Sequence, residues 1–345
     1  KQLQQPAPLR VLNTVEEDPA KFVAVHVLAR ANSAAPRDEV APLPPGVLLA
    51  PGVEEWPERM EKPRLALANW IVDPSNPLTA RVMVNRIWQS HFGRGIVATP
   101  NDFGRMGSRP SHPELLDWLA NRFVEGGYRI KPIHRLILLS ETYRQAYVAS
   151  APDVAREEDP DDSLLWRFPR QRLDAEQIRD SILQVSGKLN PQRGGPSVIA
   201  PIEPELVSLI YKPSQWAVNP DPEQQRRRSV YLFEKRNLRL PMMEVFDSPD
   251  RLLSCARREQ STHAPQALEL MNGKFTEEMS VAFAARLRME AGESPARQVD
   301  RAYRLAAGRP PVEAERRAAI GFLKRNQLRE FALAMFLIND FLYVE

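Results

Sequence analysis

Apolar residues recur at the spacing of amphipathic helices from about residue 63 onward. Residues 65–71 form one such run, and residues 78–92 form a second, longer one. The second run begins behind Asn76-Pro77, a favoured N-cap followed by proline at the first helical position. It ends at Gly93, a residue type that adopts the left-handed conformation of a helix C-terminus without strain. The pattern therefore predicts two helices ahead of Gly93.

Further helix starts follow from capping and proline signals. Ser111 with Glu114, and Asp174 with Gln177, have the spacing of capping boxes. A proline directly after a small residue predicts a helix start at three more places. These places are Ser248-Pro249, Ala264-Pro265 and Ser294-Pro295.

Two segments predict β-structure instead. Residues 22–28 and residues 229–235 contain runs of Val, Tyr and Phe, which favour strands. Pro36 to Pro57 is proline-rich and predicts an extended segment. The predicted fold class is mainly α: a multi-helix domain with a minor β component and a Pro-rich extended N-terminal segment.

The length of 345 residues is large for one domain and predicts roughly two. We predict an extended N-terminal segment or linker over residues 1–60 and a mainly helical domain over residues 61–345. Two subdomains, 61–190 and 191–345, could make up the helical domain.

Composition excludes several classes of protein. The hydrophobic share is 43% and the charged share 26%, as in ordinary globular proteins. No apolar run reaches the ~20 residues that span a bilayer. The single cysteine, Cys255, excludes an internal disulfide framework, a cysteine zinc site and a c-type haem attachment motif. We expect its thiol to be buried, as cysteine commonly is.

Arginine dominates the basic residues. The formal net charge is +3, and 38 of the 47 basic residues are arginine, against 44 acidic residues. Arginine offers a planar fork that forms bidentate pairs with carboxylates. Nucleic-acid binding would need segregated charge, and the only tight basic cluster is Arg226-Arg227-Arg228. We therefore predict neither a nucleic-acid partner nor a membrane span.

Many of these arginines fall among short acids on apolar helices, where burial is unfavourable unless they are paired. We predict that they form a structural polar network that fixes how the helices dock. Its predicted members are Arg81, Arg135, Arg144, Arg172, Asp174, Glu176, Arg179 and Asp180.

Candidate catalytic groups are limited to carboxylates, because the common nucleotide, zinc-protease and hydrolase motifs are absent. Asp102, Glu114 and Asp117 could form an acid–base pair of the kind that glycosidases use. Two of them have a structural alternative. Glu114 completes a capping box, and Asp117, on the same helix, could simply face solvent.

A polar cleft with aromatic faces is the alternative to a purely structural network. Aromatic rings in such a cleft could stack on sugar rings or another flat ligand. The candidate ligand-binding residues are Asn85, Arg86, Trp88, His91, His112 and Trp118. The five histidines lack the convergent spacing of a zinc site, so we predict no bound metal.

Several long motifs resemble one family. The longest are residues 85–95 (NRIWQSHFGRG), 112–120 (HPELLDWLA), 172–180 (RLDAEQIRD) and 255–262 (CARREQST). Over roughly residues 60–345 the chain resembles the planctomycete-type PSD domain, a family of domains of unknown function.

The resemblance implies a module at the C-terminal end of a large exported protein, periplasmic or extracellular, that often carries a c-type cytochrome domain. It implies haem in a separate domain of the parent protein and no cofactor in this chain. We expect a structural or interaction module that docks the upstream domains, a protein partner or a polysaccharide. The alternative is an exported enzyme, either a hydrolase or a haem-assisted oxidoreductase, acting on complex carbohydrate. The sequence does not decide whether the chain is an enzyme.

Overall fold

The computed structural model describes residues 25–40, 44–49, 62–147, 153–236, 238–250 and 252–344. In these ranges the chain is mainly helical, as the pattern predicts, with two small two-stranded sheets.

The N-terminal segment carries the first of these sheets. In the predicted strand over residues 22–28, β1 (His26–Leu28) pairs antiparallel with β2 (Pro36–Glu39), while residues 22–24 lie outside the described residues. Much of the Pro-rich stretch from 36 to 57 also lies outside them, so its extended form stays a prediction.

The first half of the structure is built from four helices, of which the first two follow the predicted runs, and a short fifth helix comes after them. They are α1 (Pro63–Val72), α2 (Thr79–Phe92), α3 (Pro113–Glu125), α4 (Ile130–Leu138) and α5 (Asp153–Glu158). The Asn76 side chain accepts hydrogen bonds from the backbone N–H groups of Leu78 and Thr79, at 3.0 and 3.2 Å. Asn76 therefore caps the turn of Pro77 and Leu78 that leads into α2, and the helix itself begins at Thr79, two residues later than predicted.

The predicted capping box of Ser111 and Glu114 is wrong. The helix α3 begins at Pro113 behind His112, and the Ser111 hydroxyl pairs with His112 Nδ1 at 2.9 Å. Proline fixes the backbone angle of a first helical turn, so it sets the start of α3 two residues after Ser111. Glu114 therefore lies in the first turn, too early to reach back to a cap.

Helices α2, α3 and α4 enclose the first apolar core. Its buried members include Val84, Trp88, Leu119 and Phe123. The Trp88 ring stacks on Phe92 with centroids 4.4 Å apart. These side chains recur at helical spacing, so each helix turns one apolar stripe inward.

The second half holds a larger core, whose buried residues run from Ala175 to Phe341. Its elements are β3 (Gln171–Arg172), α6 (Ala175–Val185), α7 (Pro204–Ser208), α8 (Pro222–Gln225), α9 (Pro241–Val245), α10 (Ala264–Asn272), α11 (Lys274–Ala291), α12 (Pro295–Ala306), α13 (Glu313–Leu323), α14 (Leu328–Ala334), α15 (Asn339–Leu342) and β4 (Tyr343–Val344). The capping box at the start of α6 is confirmed, since Gln177 Oε1 accepts from the Asp174 N–H at 2.8 Å.

The two apolar cores meet near the segment that carries β3. Phe168 belongs to the first core and Ala175 to the second. Between them β3 pairs antiparallel with β4 at the C-terminal end of the second half. The Gln171 side chain donates to the backbone carbonyl of His91 at 2.7 Å, which ties the end of α2 to this segment.

Two local predictions in the second half are wrong. Residues 229–235 form no regular strand: Ser229–Tyr231 is a 3-10 turn, and Leu232 makes only an isolated bridge to Val198. The N–H and hydroxyl of Ser229 both donate to Asp180 Oδ1 at 2.7 Å, which holds the backbone in the turn. Ser248-Pro249 starts no helix either, because the described residues that follow it, up to α10, are turns and irregular backbone.

No helix in the described ranges has both the length and the apolar character that crossing a membrane requires.

Candidate functional site

Asn85 is fully buried and acts as a backbone clamp. Its Nδ2 donates to the Val97 carbonyl at 3.0 Å, and its Oδ1 accepts from the Val97 N–H at 2.8 Å. A Cβ atom on Gly95 would lie only 2.6 Å from the Asn85 amide, so this loop needs glycine for its close approach. The arrangement fixes the loop after α2 and leaves no free polar edge for a ligand.

Replacing Asn85 by alanine is expected to lower the free energy of unfolding by about 2–3 kcal/mol. The Val97 N–H and carbonyl would both lose their buried partner. Urea denaturation followed by circular dichroism measures this loss. Asn121→Ala, at an exposed position on α3, is the matched control and should change stability by less than about 0.5 kcal/mol. Equal effects of the two substitutions would contradict the clamp.

The other ligand-binding candidates on α2 point in different directions. Arg86 is exposed and donates to the side chain of Asn101 at 3.3 Å. Trp88 is buried in the first core. His91 lies at the last turn, where its Nε2 is 2.7 Å from Nδ1 of His134 on α4.

The candidates around α3 lie mainly at the surface. Trp118 is 44% exposed and has the Arg122 guanidinium over its ring at 5.4 Å. Asp117 accepts a hydrogen bond from Arg81 Nε at 2.6 Å. The carboxylate of Asp102 accepts from the Gly104 N–H at 2.8 Å within its own loop. Glu114 is exposed, and His112 pairs with its neighbour Ser111.

The structure therefore does not gather the predicted candidates around one hollow. Helices α2 and α3 pack directly against each other, with Asn85 and Trp88 inside and Asp117 and Trp118 outside. Within the described residues, no three His, Cys, Asp or Glu side chains converge in a way that could hold a metal ion.

Arg172 is the centre of one buried polar cluster. Its guanidinium donates to the carbonyls of Ser261 at 2.5 Å and Phe246 at 3.3 Å, and to Asp247 Oδ2 at 2.7 Å. The Ser261 hydroxyl and N–H also donate to Asp247. Burial by itself would raise the pKa of Asp247, but the bonds from Ser261 and Arg172 bring it below its ordinary value. Arg172 thus joins β3 to both ends of the loop between α9 and α10.

Arg179 occupies a second buried cluster on α6. Its guanidinium donates to the carbonyls of Arg227 at 3.1 Å and Gln225 at 2.7 Å, and to the Ser229 hydroxyl at 3.2 Å. Asp180 lies 3.9 Å away. Burial lowers the pKa of Arg179 to about 10, which leaves it charged at neutral pH. Carbonyl oxygens supply most of its compensation.

The Arg226-Arg227-Arg228 cluster divides among three environments. Arg226 pairs with Glu223 at 2.8 Å, and Arg228 lies 3.8 Å from Asp180. Arg227 is only 2% exposed, and its guanidinium lies 3.9 Å from the centre of the Tyr231 ring.

The buried guanidinium of Arg227 also holds a glycine turn. It donates to the carbonyls of Gly194 and Pro196. Gly194 and Gly195 have φ angles of 73° and 86°, which L-residues rarely adopt. The carbonyls of this turn accept from a cation of the protein itself, so the turn has a structural role.

Arg258 ties the loop between α9 and α10 to the start of α6. It donates to both oxygens of Glu176, at 2.6 and 3.0 Å, and lies 3.4 Å from Asp174. The bonds to Glu176 raise the pKa of Arg258. Burial raises the pKa of Asp174, although Arg258 opposes that change.

The remaining predicted members of the network lie outside these buried clusters. Arg81 bonds to Asp117 and to the Pro77 carbonyl at the surface between α2 and α3. Arg144 is exposed and pairs with Glu141 at 3.1 Å, and Arg135 is exposed on α4. These two arginines do not cross-link buried elements.

A cleft beside the start of α6 encloses about 440 Å³ of empty space, including its open mouth. It is lined by both charged and apolar side chains, among them Glu176, Glu234, Lys235, Arg239, Leu232, Leu240 and Met243. Lys235 donates to the Gln215 side chain at 2.7 Å, and Arg239 pairs with Asp250 at 3.1 Å. Sequence reasoning missed this cleft because its walls, apart from Glu176, come from residues 229–249, which carry no chemical motif.

The expectation of a buried Cys255 is wrong, because the thiol is exposed. Cys255 lies on the irregular loop between α9 and α10, where its Sγ contacts the Arg257 carbonyl at 3.2 Å. That loop is fixed by polar bonds at Arg172 and Arg258 and packs few apolar side chains, so residue type alone does not bury the thiol.

The comparisons with known proteins agree with the resemblance seen in the motifs. A family model described as PSD1, Protein of unknown function (DUF1553), matches residues 63–323, which covers most of the chain. No curated protein and no solved structure matches it. The match spans α1 through α13, and therefore the first apolar core, the buried arginine clusters and the part of the second core that precedes α14. The chain belongs to the PSD1 (DUF1553) family of proteins of unknown function.

Proposed function

We propose that this chain is a structural and interaction module that docks a neighbouring folded domain through α1. One observation carries the proposal: α1 is strongly apolar, yet none of its residues is buried. Leu65, Leu67, Ile71 and Val72 are 54, 45, 42 and 56% exposed. A helix that is apolar on all sides normally lies inside a core or an interface.

The way α1 is held supports this role. Its last carbonyls accept hydrogen bonds from side chains of the first half: Trp70 from Asn76, Ile71 from Thr79 and Val72 from Tyr128. These bonds fix the C-terminal end of the helix and leave its sides uncovered. The helix is thus positioned by polar contacts, while its apolar side chains stay available to a partner.

The partner we propose is an upstream domain of an exported parent protein, as the family resemblance implies. A c-type cytochrome domain is the neighbour expected from that resemblance, and a separate protein or a polysaccharide is the further option. The enzymatic alternative would have to use the cleft beside α6, where Arg258 already occupies both oxygens of Glu176. Because this carboxylate of the cleft is already paired, we favour the docking function over the enzymatic alternative.

Hydrogen exchange tests the proposal by comparing this chain alone with the product of the complete reading frame. We expect the amides of residues 63–72 to exchange at least about tenfold more slowly in the complete product, because docking suppresses local opening. Leu65→Asp with Ile71→Asp should remove that difference. Because both side chains are exposed, this double substitution should change the free energy of unfolding of this chain alone by no more than about 1 kcal/mol.

Met289→Asp is the matched control, since Met289 is 78% exposed on a different helix, α11. It should leave the protection of α1 unchanged. Equal exchange of α1 in this chain alone and in the complete product would contradict the proposal.

A further inference from the structure

His91 and His134 form a direct imidazole–imidazole contact. His91 is in the last turn of α2 and His134 is on α4, and His91 Nε2 lies 2.7 Å from His134 Nδ1. The ring planes meet at 75° with centroids 4.9 Å apart, so one ring presents its edge to the other. Both rings are half-buried.

This contact fixes the protonation of the pair. A hydrogen bond between two imidazole nitrogens needs one of them as donor and the other as acceptor. At least one ring must therefore be neutral, and a second proton would place two N–H groups and two positive charges against each other. Burial, together with the neighbouring His134, lowers the pKa of His91 below its ordinary value.

The described surroundings of the pair are uncharged or cationic. Tyr143 meets the His91 ring edge-on at 5.6 Å, and Gln171 from β3 bonds to the His91 carbonyl. On α4 itself, Lys131 precedes His134 by three residues and Arg135 follows it, and both are cationic. Among the described residues, neither imidazole is in an ion pair with a carboxylate. Glu141, which follows α4, pairs with Arg144.

The pair also stands where the two halves of the structure meet. The end of α2 reaches the second half through Gln89, which donates to the Ala256 carbonyl at 3.2 Å, and through the His91 carbonyl, which accepts from Gln171. The His91–His134 contact holds that same end of α2 against α4. Loss of this contact would therefore loosen both bonds to the second half.

We propose that the His91–His134 pair is a proton-responsive latch, which holds the end of α2 in place at neutral pH and releases it when both imidazoles become protonated. The direction of the pH effect follows from the coupling between proton binding and folding. A histidine whose pKa is lower in the folded than in the unfolded state stabilises the fold above the unfolded value of about 6.5. That stabilisation is lost as the pH falls through the lowered pKa.

Hydrogen exchange at pH 7.5 and pH 5.0, corrected for intrinsic rates, tests the latch. In the wild type, amides near the end of α2 and in β3 should exchange roughly several-fold faster at pH 5.0. His91→Gln places a neutral amide near Nε2 and should remove the acid response. His134→Asn places one near Nδ1 and should reduce the response, because burial still lowers the pKa of the remaining His91. His112→Gln, outside the pair, should retain it.

Histidine C2–H resonances of the wild type give a second readout that does not depend on variants that fold. One of the two imidazoles should titrate clearly below the ordinary histidine range. The latch is contradicted if both titrate independently near 6.5. It is also contradicted if His91→Gln and His134→Asn respond to acid as the wild type does.

Discussion

Replacing Arg227 by leucine is expected to lower the free energy of unfolding by about 3–5 kcal/mol, among the largest effects of any single substitution in this chain. The substitution removes the donor to the carbonyls of Gly194 and Pro196. Both residues are exposed, so water can replace each lost bond, at a net cost of about 0.5–1.5 kcal/mol per bond. It also removes a desolvated stacking contact with Tyr231, which contributes about 2 kcal/mol. Urea denaturation followed by tryptophan fluorescence measures the loss.

Arg227→Lys separates the role of charge from that of shape. Lysine keeps the charge but cannot span two carbonyls and stack on a ring at the same time, so about 2 kcal/mol should still be lost. Arg228→Leu is the control from the next position, because Arg228 is exposed and its pair with Asp180 is long, at 3.8 Å. It should change stability by less than about 1 kcal/mol. Similar losses at both positions would contradict the role assigned to Arg227.

Replacing Arg172 by leucine is also expected to lower the free energy of unfolding by about 3–5 kcal/mol. The substitution removes the donor to the carbonyls of Ser261 and Phe246 and leaves the Asp247 carboxylate with Ser261 as its remaining close donor. Because Arg172 joins β3 to the loop between α9 and α10, that loop should also become more accessible to proteolysis. Denaturant unfolding and limited trypsin digestion report the two effects separately.

A double-mutant cycle with Asp247→Asn isolates the ion pair. The two residues are in direct contact at 2.7 Å, so their coupling energy should lie between about 1 and 3 kcal/mol. Arg144→Leu removes an exposed pair with Glu141 and should change stability by less than about 0.5 kcal/mol. A coupling near zero between Arg172 and Asp247 would show that their contact does not stabilise the fold.

Most helices could be predicted from the sequence because their signals are local. The cap at Asn76, the capping box at Asp174 and the prolines in the first turns of α10 and α12 each act within one turn, so nearby residues suffice to place these helix starts. The strand expected at 229–235 failed for the opposite reason. A carboxylate 49 positions away, on Asp180, holds Ser229 in a turn, and no local propensity contains that partner.

The chemistry of the arginines could be anticipated in kind, but their partners could not. Carboxylates were expected opposite the buried guanidinium groups, and Arg172 has one in Asp247. Arg179 and Arg227 depend instead on backbone carbonyls from residues 194–196 and 225–227, which have no signature in the side-chain sequence. Trp88 and Trp118 show the same limit, since helical spacing does not tell which tryptophan faces the core.

The central claim is that the buried guanidinium groups are enclosed cross-links between elements of the fold. Modification of the native protein by phenylglyoxal, mapped by mass spectrometry, tests this most directly, because the reagent needs access to the guanidinium. Arg172, Arg179 and Arg227 should remain unmodified while exposed Arg144 and Arg228 react. Modification of Arg179 and Arg227 as fast as that of Arg144 would mean that they face open solvent, and the account would be contradicted.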